Sequence, residues 1–270
     1  KTKAAIEELA LALKKISAER IQVELVKLVT SKHPEELLTA YETGITSVIL
    51  PEFDLCMETE QHNPHHLYNV GMHTIHAMEV IPADKVLRLA MLFHDMGKPV
   101  CRETDERGID HFHGHPQVSE EITGKVLRRL KFDNDTVYMV KKLVRCHDQY
   151  IPADERGVRR AMWRVGEDAF PLLLQVKKAD MEAQSTFLIE EKEKNLQEVG
   201  RIYQEILEKK QCVSLKTLAV NGKDLMDEAG YVPGKELGTI LQELLQLVIE
   251  EPELNDKRTL LKEARQRRNR

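Results

Sequence analysis

An all-α fold is predicted by three features of the sequence. Aromatic residues are only 5% of the 270, and Leu, Lys, Glu and Ala dominate, whereas strands favour aromatic and β-branched side chains. Apolar residues recur at helical spacing over long stretches. No alternating run longer than a few residues reads as a strand. With 41% hydrophobic and 31% charged residues the chain has the balance of a soluble globular protein, long enough for one large or two ordinary domains.

In chain order, Ile21, Leu25, Leu28 and Val29 mark a first amphipathic helix with Ser17 as a candidate N-cap. "KHPEELLTAYETG" starts a second near Pro34 and ends it at Gly44, and "LPEF" at 50–53 is a break. In "NPHHLYNVGMHTIHAMEV" the spacing of His66, Asn69, His73 and His76 places all four on one helical face, with Leu67, Val70, Ile75 and Met78 covering others. "RLAMLFHDMGKP" is a buried helix from Leu89 to Phe93 that ends on His94 and Asp95, stopped by Gly97 and Pro99. Asp180 lies among Val176, Ala179 and Ala183 in another helical run. Leu196, Val199, Ile202, Ile206 and Leu207 stripe a long charged helix, and Gly-punctuated turns and a further helix follow.

Ten of the 11 histidines fall between His62 and His147, with only His33 outside, which locates the chemistry. Burying His94 and Asp95 without partners would cost roughly 1 to 7 kcal/mol per group. Two readings answer that cost: a hydrogen-bonded His–Asp pair at a helix end, or a metal held by His73, His94, Asp95 and Asp180 from three helices. Such a mixed nitrogen and oxygen set suits Mn, Fe, Co, Ni, Zn or Mg. His66 and His76 read better as a solvated face, and His147 followed by Asp148 as an imidazole–carboxylate pair.

Other features set bounds. Cys56, Cys101, Cys146 and Cys212 are too scattered for a disulfide framework or a C-x-x-C site. No apolar run reaches membrane-spanning length, and the charged start "KTKAAIEELALALKK" is unlike a signal peptide, so a cytoplasmic location is expected. With a net charge of −5, nucleic-acid contact has to come from local patches. "RRLK" (Arg128, Arg129, Lys131), "VRRAMWR" (Arg159, Arg160, Arg164) and the terminal "ARQRRNR" read either as phosphate contacts or as solvated faces and a frayed tail. Asp133 and Asp135 of "DND" read as a helix cap or turn.

The order His73, His94-Asp95, Asp180, with "FHDMGK", resembles the HD superfamily of metal-dependent phosphohydrolases. "HFHGHPQVSEE" resembles its flanking segment, with His111 and His115 at the better-matching positions and His113 less well placed. "ISAERIQVELVKLVTSKHPEELLTAYETGITSVILPEF" and "LAVNGKDLMDEAGYVPGKELGTILQELLQLVIEEPELN" resemble the helical parts of bacterial CCA-adding tRNA nucleotidyltransferases and their poly(A) polymerase relatives. The resemblance implies a helical neck-like segment (1–55), an HD domain (56–190) and a C-terminal helical body or tail (191–270). The Gly-Ser turn and paired D-x-D carboxylates of that family's catalytic head are not found, so nucleotide addition is not expected from this chain alone.

The resemblance further implies a phosphoester hydrolase of the 2′,3′-cyclic phosphodiesterase, nucleotidase or phosphatase type, acting on nucleotides or RNA ends. Its divalent metal (Mn, Ni, Co, Fe or Mg) would be held by His73, His94, Asp95, Asp180, His111 and His115. Asp95, Lys98, His115 and His147 would serve catalysis, Lys98 by reaching a phosphate oxygen. The alternative is a tRNA-binding helical body in which the HD domain is mainly a scaffold. A nucleotide-sensing domain is a third reading, and exposed end helices make a homodimer plausible.

Overall fold

The computed structural model describes residues 2–65 and 67–268. The expected all-α fold is what it shows. The chain runs through α1 (Thr2–Leu9), a 3₁₀ turn (Ala10–Lys15), α2 (Ala18–Val29), α3 (Glu36–Glu42), α4 (Ile45–Ile49) and α5 (Pro51–Met57). Next come α6 (Val70–Val80), α7 (Lys85–Phe93), α8 (Lys98–Cys101) and a small antiparallel hairpin of β1 (Glu103–Thr104) and β2 (Asp110–His111). It continues with α9 (His115–Arg129), α10 (Asn134–Cys146), α11 (Glu155–Val165), α12 (Phe170–Glu182) and α13 (Ile189–Glu208). The last helices are α14 (Gly222–Ala229), α15 (Lys235–Glu250), a 3₁₀ turn (Pro252–Leu254) and α16 (Lys257–Arg268).

Two compact units emerge, one of residues 1–149 and 171–193, the other of 150–170 and 194–270. In the first, α7 is buried from Leu87 to Phe93, and Phe53, Ile75 and Met78 join its core. Arg88 is buried within this core and donates to the carbonyls of Ile81 (3.0 Å), Pro82 (3.3 Å) and Val29 (2.9 Å). In the second unit Leu225, Leu244, Val248, Ile249, Leu260 and Ala264 form the centre of a separate core.

Local sequence explains most helix boundaries. Gly44, with φ of 73°, ends α3 in the left-handed region that glycine enters without strain, and Pro51 opens α5 where no N–H is needed. Ser17 occupies the N-cap position of α2, but its side chain accepts no capping bond. Asp133 caps α10, accepting from the Thr136 N–H at 2.8 Å.

Two boundaries differ from expectation. The helix anticipated from His66 begins only at Val70, because the Asn69 side chain accepts from the Met72 N–H at 2.7 Å and acts as N-cap. Asn69 is therefore not part of a helical row with His73 and His76, and His66 lies outside the described residues. After His94, Pro99 does not end helical structure. It sits in the first turn of α8, a position that tolerates a missing N–H. Gly97 has an ordinary negative φ (−82°), so conformational freedom is not its role. A Cβ there would fall 2.5 Å from the His115 carbonyl and 2.7 Å from the Ser119 nitrogen. Its lack of a side chain lets the His94–Asp95 turn touch the start of α9.

Removing the Arg88 guanidinium strands two buried carbonyls, those of Ile81 and Val29, so Arg88→Met is expected to lower unfolding stability by roughly 2 to 4 kcal/mol. Urea denaturation checks this; a change within error of wild type would mean that water replaces the guanidinium.

Candidate metal centre

Five segments of the first unit deliver ionisable side chains to one buried point. His73 comes from α6, His94 and Asp95 from the end of α7, His115 from the first turn of α9, His147 from the end of α10 and Asp180 from α12. The histidines and Asp95 are buried, while the Asp180 side chain keeps 18% exposure and is where the cluster meets solvent.

Backbone carbonyls set the ring orientations. Nδ1 of His94 faces the Met91 carbonyl (2.7 Å), that of His115 the Phe112 carbonyl (2.9 Å), that of His147 the Val144 carbonyl (2.7 Å) and that of His73 the Ala183 carbonyl (3.3 Å). A carbonyl only accepts, so each Nδ1 carries a proton and donates, which turns the Nε2 of each ring toward the centre. The Nε2 atoms of His73 and His94 stand 3.3 Å apart, and those of His115 and His147 3.2 Å. Facing lone pairs repel at such distances unless a proton or a cation stands between them.

Asp95 divides its two oxygens between these pairs. Oδ2 lies 3.2 Å from His94 Nε2 and 3.7 Å from His73 Nε2; Oδ1 lies 3.2 Å from His115 Nε2 and 3.6 Å from His147 Nε2. Asp180 Oδ1 completes the first group, 2.9 Å from His73 Nε2 and 3.7 Å from His94 Nε2. Ligands about 2.1 Å from a shared ion lie roughly 3 to 4 Å from one another, which is the spacing found. Two groups, His73–His94–Asp95 and Asp95–His115–His147, could each hold a metal ion, with Asp95 common to both. Asp95 Oδ2 supports the fit. It is buried without a hydrogen bond of proper geometry, although the Lys98 ammonium lies 2.7 Å away.

The charges are strongly coupled. Burial pushes the Asp95 and Asp180 carboxyls up, but the surrounding imidazoles, with Lys98 beside Asp95, outweigh it and hold both well below the usual range. Burial pushes His94 down, yet Asp95 and Asp180 raise it to about 10. His147 is lowered, chiefly by burial.

His73, His94, Asp95, Asp180, His115 and His147 are thus brought together. His111 is not: it lies on β2 with Nε2 3.1 Å from Asp105 Oδ2, half-exposed, and its place as a metal ligand is corrected. The hairpin that holds it is fastened elsewhere. Buried Asp110 accepts from the His62 backbone (2.9 Å) and ring Nδ1 (2.9 Å), from Arg102 (3.0 Å) and from Thr104 (2.6 Å). Lys98 does not project toward solvent as a phosphate-seeking cation would. It is buried, donates to Gln61 Oε1 at 2.8 Å and neutralises Asp95. His76 is partly exposed and pairs with Glu79 at 2.8 Å, as a solvated-face histidine would. Asp148 is exposed, while the His147 ring turns inward.

Residues the sequence reading passed over surround Asp180. Lys177 donates to the His147 carbonyl at 2.7 Å, Gln184 to Asp180 Oδ1 at 3.1 Å, and Lys192 to Gln184 Oε1 at 2.7 Å. Burial pushes both lysines down. The spacing of Lys177 and Gln184, three before and four after Asp180, was the available signal.

Comparison with known proteins bears on this centre. Residues 103–264 match the family described as tRNA nucleotidyltransferase domain 2, and residues 1–57 the one described as a probable RNA and SrmB-binding site of polymerase A. An A-adding tRNA nucleotidyltransferase of Deinococcus radiodurans is 31% identical over 241 residues, covering 84% of this chain and 54% of the relative. A CC-adding tRNA nucleotidyltransferase of Thermus thermophilus is 34% identical over 235 residues, covering 84% and 52%. A CCA-adding enzyme of Limosilactobacillus reuteri is 26% identical over 265 residues, covering 96% and 53%. The chain spans about half the length of these relatives. They are nucleotide-adding enzymes, so the expectation that the chain is a phosphoester hydrolase is overturned. No helix among the described residues is long and apolar enough to cross a membrane.

Two outcomes follow for the centre. Asp95→Asn should bind less divalent metal than wild type in elemental analysis after loading with Mn²⁺ or Ni²⁺, whereas His111→Ala should bind the wild-type amount. In metal-stripped protein, Asp95 and Asp180 contribute stability above their unfolded value of about 3.9, lost as pH falls below it. His94 contributes below about 6.5, and that part is lost as pH rises toward its folded value. Urea midpoints measured from acid to alkaline pH should therefore decline on both sides, and a flat profile would contradict the coupling.

Proposed function

The chain belongs to the tRNA nucleotidyltransferase family, and on that premise we propose that it is the RNA-binding helical body of such an enzyme, stiffened by a buried metal centre of HD type. The observation that carries the reading is the position of the centre. Its ligands come from α6, α7, α9, α10 and α12, and all but Asp180 are shut away from solvent. Divalent cations there would fasten five segments at one point and relieve the opposed lone pairs of the two histidine pairs. Removing them would loosen the packing of the unit.

Four imidazole nitrogens and two carboxylates favour borderline ions such as Mn, Fe, Co, Ni or Zn over Mg, which prefers oxygen and retains water. RNA contact is supported by the match of residues 1–57 to an RNA-binding family. The same segment exposes Lys14, Lys15, Arg20, Lys27 and Lys32. With an overall charge of −5, such local rows are the means by which this chain would hold a polyanion.

The two functions attributed to the unit separate experimentally. Asp95→Asn should lower the melting temperature of the metal-loaded protein while leaving tRNA affinity, measured where both proteins are folded, within about twofold of wild type. Affinity of both should fall steeply with salt, as expected when phosphates are neutralised. Loss of RNA binding in a folded Asp95→Asn variant would instead make the centre part of the RNA site.

A further inference from the structure

A second basic surface lies outside residues 1–57, on the helix pair α9–α10 of the first unit. Lys125 and Arg128 share one face of α9, and Lys142 and Arg145 share one of α10, three residues apart in each case. The two rows are drawn together at Gly124. A Cβ there would stand 3.2 Å from the Lys141 side chain and 3.4 Å from the Arg128 guanidinium, so a lysine of α10 lies across the backbone of α9 beside an arginine of α9.

The charges on this surface are largely uncompensated. Glu120 is engaged by Lys141 at 3.2 Å and Arg145 at 4.0 Å. Arg128 reaches only the Gly124 carbonyl, at 3.5 Å, and the Lys142 ammonium sits 4.5 Å above the Tyr138 ring. Among the described residues no ion pair within 4.0 Å involves Lys125, Arg128 or Lys142; the exposed acids within α9 and α10 are Glu121 and Asp135, and Asp133 and Asp148 flank α10. Holding unpaired cations together is costly in a free monomer, and a polyanion removes that cost. The other arginine-rich stretches are engaged internally: Glu250 pairs with Arg156 and Arg160, and Arg267 with Glu243.

This surface continues into the segment already linked to RNA. Arg129, at the end of α9, forms a two-pronged pair with Glu52 of α5 (2.7 and 2.8 Å) and donates to the Ile49 carbonyl at 3.3 Å. A two-pronged arginine–carboxylate pair fixes direction as well as distance. The α9 row is thereby held rigidly against residues 1–57.

We propose that the α9–α10 face binds the sugar–phosphate backbone of a double-helical RNA stem, extending the RNA contact of residues 1–57; this rests on the RNA-binding reading above. Cations on two packed helices form a fixed platform that meets phosphates regardless of sequence. Binding of single strands relies on several aromatic side chains for base stacking, and Tyr138, 59% exposed, is the one Phe, Tyr or Trp within α9 and α10. Tyr138 and Lys142 suit a ribose edge and its phosphate.

The test is tRNA binding by the full chain, by filter retention across a salt series. The triple variant Lys125→Glu, Arg128→Glu, Lys142→Glu is compared with a control of equal charge change, Lys194→Glu, Lys216→Glu, Lys223→Glu. None of the six residues touches the metal centre, so metal content and melting temperature serve as folding controls. The first variant is expected to lose affinity by about tenfold or more and to lower the log–log salt slope by about 2 to 3, roughly one per phosphate contact. The control should change both far less. Equal losses in the two variants, or no loss in the first, would overturn the proposal while leaving RNA binding intact. Wild-type binding of an unstructured single strand as tightly as tRNA would overturn the assignment to a stem. A wild-type chain that binds no tRNA would remove the RNA-binding reading itself and this surface with it.

Discussion

Asp95 is the constraint around which the first unit is arranged. One carboxylate, with no solvent to share its charge, faces four imidazole nitrogens through its two oxygens and an ammonium through one of them. That arrangement dictates the character of α7, which must be apolar on nearly every side because its end lies at the centre of the unit. It dictates the glycine at 97, since any side chain would push the turn away from α9 and separate Asp95 from His115. It also dictates the ring orientations, because a histidine whose Nδ1 were not tied to a carbonyl could turn its lone pair away. The four carbonyl bonds come from the ends of helices or the loops beside them, where backbone acceptors are free of helical partners.

Much of this could be read in the sequence, and the parts that could not share a cause. His94 and Asp95 were visible because two polar residues ending an apolar run violate local pattern. His73 and Asp180 carried weaker versions of the same signal. His111 and His115, four residues apart, looked equivalent, yet the left-handed Gly114 turn between them starts α9 and sends only His115 inward. The helix carrying His73 looked longer than it is because its histidine row continues past Asn69, whereas capping by that asparagine settles the boundary. Lys98 is expected from the resemblance to reach a phosphate oxygen, yet it is buried. Its burial depends on Asp95 and Gln61, and no local pattern reports a neighbour 37 residues away.

Charge runs were least legible. The terminal "ARQRRNR" has two readings, a nucleic-acid contact or a frayed tail, and through Arg268 it is not frayed. Arg265 and Arg268 donate to the carbonyls of Glu228 and Ala229, where α14 ends and its backbone acceptors need donors. Arg159, within "VRRAMWR", is buried and donates to the Ile249 carbonyl at 2.9 Å. Arginine density therefore reports demand for donors as readily as affinity for phosphate. What separates the cases is whether an acceptor stands within reach, a tertiary fact.

The same distinction governs the functional reading. A complete set of metal ligands does not by itself imply hydrolysis, because a bound metal also contributes to folding. Once a cation is bound, the pairings that would be repulsive or poorly solvated become favourable, and the ligands earn their place by joining helices, whatever reaction takes place elsewhere. Ligand identity alone cannot then distinguish a reactive centre from a structural one; access to it can. Here access narrows to Asp180, whose neighbours Lys177, Gln184 and Lys192 are tied to the His147 carbonyl and to one another. The exposed rows of residues 1–57 and of α9–α10, by contrast, present cations at the surface, where phosphates would meet them. α9 begins at His115 of the candidate centre and ends at Arg129, so stiffness imposed at one end by a bound cation would be passed to the basic face at the other.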